Sequence, residues 1–233
     1  MLSPTERKKS SFAKSLLHGA ELKKYEEIYQ QFMQTGYTKE LCETYADEFI
    51  NNVKKPAPAD IVQTAALYDR IHDSKSALFY LDMLADKKLS GDDRFNFCLE
   101  MLKSQSKIGH WRDAEDFRTD NINFLQNYVQ KKSQQHEAKL YIALALVDCA
   151  SKKYTDAFKL LGFGYKPQGK NDTTLLEMFI SAAYIYSQSG DKEELENAVA
   201  TAHACLKLFT EFEFSWSKKY YEKRIAEAAE GIL

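Results

Sequence analysis

Two apolar segments separated by a short polar break, within residues 139–163, are the most constraining feature of the sequence. Residues 140–150 are apolar on nearly every side, which an aqueous protein accommodates only in a helix covered by other helices. Residues 154–161 carry apolar side chains at spacings of three and four, typical of a helix with one buried side. The break at 151–153 is short enough to join antiparallel helices. The stretch therefore predicts a helical hairpin, which must stack on similar hairpins to bury its remaining apolar surface.

Similar hairpins are predicted along most of the chain, each with a polar or glycine-containing bend. The bends fall at Gly36, His72, Gly109, Lys152 and Gly190, at intervals of 36, 37, 43 and 38 residues. Recurrence at such intervals is typical of helical repeat proteins. We expect one all-α domain over residues 1–233. Within it, residues 1–21 are expected to form an N-terminal flanking helix, 22–210 five helical hairpins, and 215–230 a C-terminal capping helix.

The sequence also predicts the bounds of individual helices, one long loop and one buried stripe. The second helix of the second pair is predicted over residues 74–87, and the helix that starts near residue 111 is long enough to allow a kink or break near residues 120–121. Residues 162–173, with three glycines and a proline, are predicted to form a loop. The helix after Gly36 is expected to bury one apolar stripe, formed by Leu41, Tyr45, Phe49 and Ile50.

Composition and charge reduce the weight of several function classes. The chain has 32 basic and 34 acidic residues and a net charge of -2, so no general attraction to nucleic acid or to an anionic membrane is expected. No apolar run approaches the roughly 18 residues that span a bilayer. The four cysteines lie in helical patterns without a C-x-x-C pair, so we expect buried, reduced thiols and a cytoplasmic location. The basic N-terminus leaves a targeting segment open as an alternative.

The hairpin pattern resembles the tetratricopeptide-repeat (TPR) family, in which the first helix of each pair, helix A, carries aromatic, leucine and small residues and the second, helix B, an early alanine. The A-helix set is matched by Tyr25, Ile28 and Phe32, by Ala65 and Tyr68, by Tyr141, Leu144 and Ala145, and by Phe179, Ala183 and Tyr186. The early alanine is matched by Ala77, Ala114, Ala157 and, more loosely, Ala198. The third pair departs from the pattern, with Cys98, Met101 and Leu102. The resemblance covers residues 22–210 and implies a right-handed αα-hairpin superhelix, a TPR-like solenoid.

The resemblance also implies a non-enzymatic scaffold that binds a peptide or helix of a partner protein in a groove lined by A helices. Its register places seven residues in that groove: Gln63, Asn96, Lys103, Lys139, Ser181, Tyr184 and Gln188. The residues that follow Lys139 on this side are apolar, which favours an amphipathic helix or a partner subunit as the ligand. Two alternatives stay open, a structural subunit of a larger complex or homodimer, and a regulatory sensor of a small peptide or metabolite. Ordinary solvated or partly packed positions are the alternative interpretation of each residue.

Motifs for catalysis or cofactor binding are weak. Residues 164–170, GYKPQGK, have the spacing of a phosphate-binding loop, but Asn171 stands where a magnesium-binding hydroxyl is needed. His203 and Cys205 are two residues apart on a predicted helix, so they face different directions and make a poor metal pair. The sequence therefore predicts no catalytic, cofactor or metal site. An aromatic cluster is predicted to pack in the core and cap, with a docking patch as the alternative: Phe209, Phe212, Phe214, Trp216, Tyr220 and Tyr221.

Overall fold

The computed structural model describes residues 27–28, 30–32, 34–162, 164–167, 172–208 and 215–233. These residues are helical with connecting turns and contain no β-strand, so the all-α prediction is confirmed. After a helical stretch that ends at Thr35, the helices are α1 (Lys39–Ala46) with a π-helical extension (Asp47–Asn51), α2 (Pro58–Arg70), α3 (Ser74–Asp82), α4 (Gly91–Lys107), α5 (Trp111–Val129), α6 (Gln134–Ala150), α7 (Tyr154–Leu161), α8 (Thr174–Ser189), α9 (Lys192–Leu208) and α10 (Ser215–Ala229).

Helix packing follows a regular scheme. Consecutive helices form antiparallel pairs, α2 with α3, α4 with α5, α6 with α7, and α8 with α9. The first helices also pack on one another in succession, α2 on α4, α4 on α6, and α6 on α8, and α10 then packs on α8 and α9. Each first helix from α4 onward therefore contacts its own partner and both helices of the preceding pair.

The five predicted bends are confirmed as helix-to-helix connections, and each contains a residue in the left-handed conformation. The φ angles are 79° at Gly36, Gly109 and Gly190 and 61° at His72 and Lys152. After His72, Gly109 and Lys152, the next backbone N–H donates to the carbonyl five residues earlier, as in Lys153 to Asp148 at 2.7 Å. This is the Schellman arrangement, which satisfies the last carbonyl groups of a helix.

The packing of helix α6 explains why residues 140–150 are apolar on nearly every side. Its residues 142–149 are all buried. Leu140, Ala143, Leu144 and Val147 belong to a cluster shared with the helices before α6. Ile142 and Leu146 belong instead to a cluster shared with α8, α9 and α10. Since α6 is covered on both sides, its sequence needs no polar stripe over this length.

Two predicted helices differ in detail from the structure. Helix α3 ends at Asp82, and the prediction that it runs to residue 87 is wrong. The backbone continues through turns bonded three residues apart, such as Leu84 N–H to Leu81 C=O at 2.8 Å, and these turns still bury Leu84. Helix α5 runs unbroken from Trp111 to Val129, so there is no break near residues 120–121. Asn121 fits within this helix because its amide donates to the carbonyl of Phe117 at 3.0 Å.

The four thiols are buried, as predicted. Burial raises the pKa of Cys42 and of Cys149 to about 12, and that of Cys98 to about 11. Since the thiolate is the reactive form, these side chains behave as small apolar core residues. Within the described residues, no helix is both long enough and apolar enough to cross a bilayer.

The left-handed bends lead to a test of local backbone strain. Lys152 is exposed with φ of 61°, a conformation that a side chain disfavours. We expect Lys152→Gly to raise the free energy of unfolding by about 1 kcal/mol. Gly190 has φ of 79°, and a methyl group added there would meet only open space, so the strain of Gly190→Ala is expected to lower the free energy by about the same amount. Urea unfolding followed by circular dichroism measures both, and a change of the same sign in both variants would contradict this account.

Candidate partner-binding face

The seven residues predicted to line a groove occupy one helical stripe of the first helices. Measured back from the left-handed residue of each bend, they lie two, six, nine or thirteen residues earlier. Gln188, for example, lies two residues before Gly190, and Lys103 lies six before Gly109. Spacings of four, three and four residues keep side chains on one side of a helix. We call these positions on α2, α4, α6 and α8 the first-helix stripe.

The exposure of the seven residues differs along this stripe. Lys103 and Tyr184 are half-buried, and Ser181 is only 3% exposed, so its hydroxyl lies within the helix packing. The exposed members are Gln63, Asn96, Lys139 and Gln188. The same stripe on α6 is apolar after Lys139, where Ala143 and Leu146 are buried. The stripe therefore combines polar ends with an apolar middle helix.

Paired charges link α2 and α4 beside the stripe. Lys107 lies 2.6 Å from Asp69, and the Ser74 hydroxyl donates to the same carboxylate at 2.9 Å. Burial by itself would raise the pKa of Asp69, but the Lys107 ammonium, with Lys103 and Ser74, holds that pKa below its ordinary value. Lys103 pairs with Glu100 at 2.9 Å. Burial would lower the pKa of Lys103, yet Glu100 and the more distant carboxylates raise it above its ordinary value.

A tyrosine environment surrounds Arg70, which lies two residues before the bend at His72. The Arg70 guanidinium donates to the Tyr37 hydroxyl at 3.1 Å and lies 4.8 Å from the centre of the Tyr37 ring. The Tyr37 ring in turn meets the ring of Tyr220, on α10, edge to face at 5.3 Å. Tyr37, with Tyr220 and Tyr221, raises the pKa of Arg70 above its ordinary value despite burial. This group of side chains joins the start of the described chain to its last helix.

Helix α10 contacts the first-helix stripe directly. Arg224 donates to both oxygens of Glu177 at 2.8 and 2.6 Å, and Glu177 lies thirteen residues before Gly190, on the stripe. Glu227 lies 3.1 Å from Nε2 of His72, at the bend after α2. The Gln188 amide donates to the Gly231 carbonyl at 3.4 Å. The contacts of α10 therefore reach beyond the final helix pair that a terminal cap would cover.

The two faces of α10 agree with the sequence pattern. Ile225 and Ala228 are buried against the α8 and α9 cluster, whereas Lys218, Lys219 and Glu222 are exposed. Of the predicted aromatic cluster, Tyr220 and Tyr221 are half-buried. Residues 209–214 and the side chain of residue 216 lie outside what the structure describes. The pattern alone did not identify Glu177, although its thirteen-residue offset from Gly190 matches that of Asn96 from Gly109 and of Lys139 from Lys152.

A separate apolar cleft of about 450 Å³ lies between α7, α8 and α9. Phe158 and Tyr186 stack across part of it, with ring centres 3.9 Å apart, and Asn197 and Thr201 supply polar edges.

In the loop beside the cleft, Tyr165 is buried and donates to Asp172. Residues 168–171, which include part of the phosphate-loop pattern, are outside the described chain. No set of three or more metal-ligating side chains is gathered within the described residues.

The Asp69–Lys107 pair provides a pH-dependent test of the charge network. Because the pKa of Asp69 is lowered on folding, its contribution to stability is present above the ordinary value of 3.8 and is lost as pH falls through the folded pKa. We expect Asp69→Asn to lower the free energy of unfolding at neutral pH by about 3 kcal/mol, since it leaves Lys107 buried without a countercharge. The difference from wild type should shrink as pH falls below 3.8.

Urea unfolding across about pH 3 to 7 measures this dependence. Asp156→Asn is the control, because Asp156 pairs with Lys159 on the exposed surface of α7. A pair of exposed side chains contributes little to stability, so this variant should follow wild type closely. Equal losses in Asp69→Asn and Asp156→Asn, or a loss in Asp69→Asn that does not change with pH, would contradict the proposed role of the buried pair.

No protein-family model matches the chain, no curated protein matches it, and no solved structure matches it. The tetratricopeptide resemblance therefore rests on the residue pattern given above.

Proposed function

We propose that this protein is a non-enzymatic scaffold that binds a helix of a partner protein on the first-helix stripe. The observation that carries the proposal is the seating of α10. Helix α10 is held at this face by Glu177, Gln188 and His72, which all lie on the stripe or at a bend. A face that already holds one helix through side-chain contacts has the shape and the polar groups needed to hold another.

The proposed architecture is a TPR-like, right-handed solenoid of five helix pairs. Its support is the packing scheme, in which each first helix from α4 onward contacts both helices of the preceding pair. Stacked repeats contact their neighbours in this way because each pair alone leaves an apolar face uncovered. The left-handed residue at every bend adds to this support, since the same connection recurs through the chain.

The composition of the stripe defines the proposed partner. Its charged groups on α4 and α8 include both signs, with Lys103 and Lys107 beside Glu100 and Glu177. An amphipathic helix whose polar side carries charges of both signs would complement this surface. With a net charge of -2, the chain offers no general attraction for nucleic acid or anionic lipid, so we propose a protein partner. Four buried thiols are compatible with a reducing, cytoplasmic location.

Two other functions each have one supporting observation. Phe79 is 66% exposed on α3, and Met83, one turn later, is also exposed. Such apolar side chains on an outer helix favour a structural subunit of a larger complex or a homodimer. The cleft between α7, α8 and α9 has the volume of a small-molecule site and favours a sensor of a small peptide or metabolite. Light scattering during size-exclusion chromatography tests the homodimer.

Site-specific photo-crosslinking in the source cell tests the proposed face. A photo-reactive phenylalanine derivative replaces Gln63, Asn96 or Lys139, which are exposed on three successive first helices. We expect one common partner protein to be captured from all three positions, because neighbouring first helices would present a continuous surface to one ligand.

The matched controls carry the same derivative at exposed positions of the second helices, Lys75 on α3, Asp116 on α5 and Lys159 on α7. These variants have the same reactive group on the same protein, so they measure capture that does not depend on the face. Capture at the second-helix positions in place of the first-helix positions would rule out the proposed surface and support the structural-subunit alternative.

A further inference from the structure

Two adjacent stripes of α10 and its C-terminal turn divide its contacts with the rest of the protein. The first contains Tyr221, Ile225 and Ala228, which pack in the cluster formed with α8 and α9. Ile225 is a large aliphatic side chain of α10 that is fully buried. Ala228 and, after the helix, Leu233 are also buried in this cluster. This contact is small compared with that of α6, where eight consecutive residues, 142–149, are buried.

The second stripe contains four residues at spacings of four, three and four, and each has a partner in another part of the protein. Tyr220 meets Tyr37, Arg224 binds Glu177, Glu227 lies beside His72, and the Gly231 carbonyl accepts from Gln188. These partners come from α8, the bend after α2, and the segment before α1. The second stripe is therefore bound through polar and aromatic contacts that are distributed over several elements.

The ion pair of Arg224 and Glu177 is the shortest of these polar anchors. Nη1 of Arg224 donates to both carboxylate oxygens, at 2.8 and 2.6 Å, and hydrogen bonds between two charged groups are stronger than those between neutral groups. Both side chains are partly shielded from solvent, at 13% and 29% exposure. An arginine on a different helix could make the same two bonds, because the recognition depends on the carboxylate and not on the chain that carries the guanidinium.

An element attached through a small apolar strip and a row of polar anchors is expected to open more readily than the core. Contacts of this composition resemble an exchangeable interface between domains more than the interior of one. By contrast, α6 could not leave without exposing both clusters that flank it. Of these two helices, only α10 is held by contacts that a competing helix of similar chemistry could reproduce.

We propose that α10 is an internal ligand of this face and that the partner displaces it with a helix of the same pattern. The pattern is an aromatic residue, an arginine four positions later and an acidic residue three positions after that, each followed directly by an apolar or aromatic residue of the first stripe. In this chain it reads Tyr220-Tyr221, Arg224-Ile225 and Glu227-Ala228. The inference rests on the proposed function, since it takes the first-helix stripe as the binding face.

A synthetic peptide of residues 215–233, labelled with fluorescein at its N-terminus, serves as the probe. It is added to the full-length protein, and binding is measured by fluorescence anisotropy. In wild type, the tethered α10 competes at an effective concentration of about 1 mM, so the peptide should bind very weakly. In Arg224→Ala, the tethered α10 has lost one anchor, while α8 retains Glu177 for the peptide to bind. We expect the peptide to bind this variant at least about 10-fold more tightly than wild type.

Glu177→Ala is the matched control because it removes the same ion pair by changing α8 instead of α10. The peptide should bind Glu177→Ala at least about 10-fold more weakly than it binds Arg224→Ala. Lys218→Ala removes a lysine on the exposed side of the same helix, where it lies 3.8 Å from the exposed Glu222, and should behave as wild type. Equal peptide binding by Arg224→Ala and Glu177→Ala, or none by a folded Arg224→Ala protein, would overturn the proposal.

Gly231→Ala provides a second route that leaves the charges intact. Gly231 has φ of 82°, and an added side-chain carbon would lie 2.7 Å from Nε2 of Gln188. This change should loosen the end of α10 and also increase peptide binding over wild type. If Arg224→Ala fails to fold by circular dichroism, Gly231→Ala decides the question, and a folded Gly231→Ala protein that does not bind the peptide would overturn the proposal.

The crosslinking positions separate this inference from the proposed function. A common partner captured at Gln63, Asn96 and Lys139, without peptide binding by the α10 variants, would leave the scaffold intact and remove the internal ligand. Peptide binding without capture at these positions would show that α10 is exchangeable while the scaffold proposal fails. If both hold, adding Arg224→Ala to the crosslinking proteins should increase capture of the partner.

Discussion

Burial of both faces of α6 is the constraint on which the rest of the structure depends. Most of its buried residues divide between two apolar clusters, one shared with the helices before it and one with the helices after it, and Ala145 and Cys149 pack in a third with α7 and α8. Each fully buried aliphatic side chain contributes about 1.5–3 kcal/mol, so this helix concentrates much of the favourable burial. No other described helix contributes as many buried residues to both large clusters. The helix pairs on either side are therefore joined through α6.

Charged pairs at the stripe have a different role from this apolar core. Desolvating a pair such as Asp69 and Lys107 offsets much of the attraction between its members, so the pair adds less net stability than its short distance indicates. Removing one member is costly, however, because the other remains buried and unpaired. The pairs thereby favour one alignment of α2 against α4 and of α8 against α10. A surface with fixed charges of this kind is suited to recognise one particular helix.

The contacts of α10 connect the architecture to the proposed function. The same first helices that pack through their apolar sides present a polar stripe, and α10 contacts Glu177 and Gln188 of that stripe. Part of the face is thus covered by a segment of the chain itself. Under the proposed function, a partner would compete with that segment, and its binding would depend on the chemistry of the incoming helix and on the strength of the α10 anchors.

Local pattern in the sequence determined the helices, the five bends and most buried stripes. These features depend on the spacing of neighbouring residues, and Leu41, Tyr45, Phe49 and Ile50 are buried as their spacing predicts. The sequence pattern did not show that α3 ends at Asp82, because a continued helix and a run of tighter turns can both bury Leu84. The seven groove residues were placed on one stripe by register, but their burial depends on what covers them, and Ser181 lies inside.

Only the tertiary structure decided which distant parts of the chain meet. His72 and Glu227 are 155 residues apart in sequence and 3.1 Å apart in space. That distance depends on how all the intervening helices pack on one another, and no local spacing in the sequence determines it. The same holds for Arg224 and Glu177, whose charges are visible in the sequence but whose pairing depends on where α10 docks. The sequence determined the helices and their bends, whereas the packing of those helices on one another placed the last helix beside the bend that follows α2.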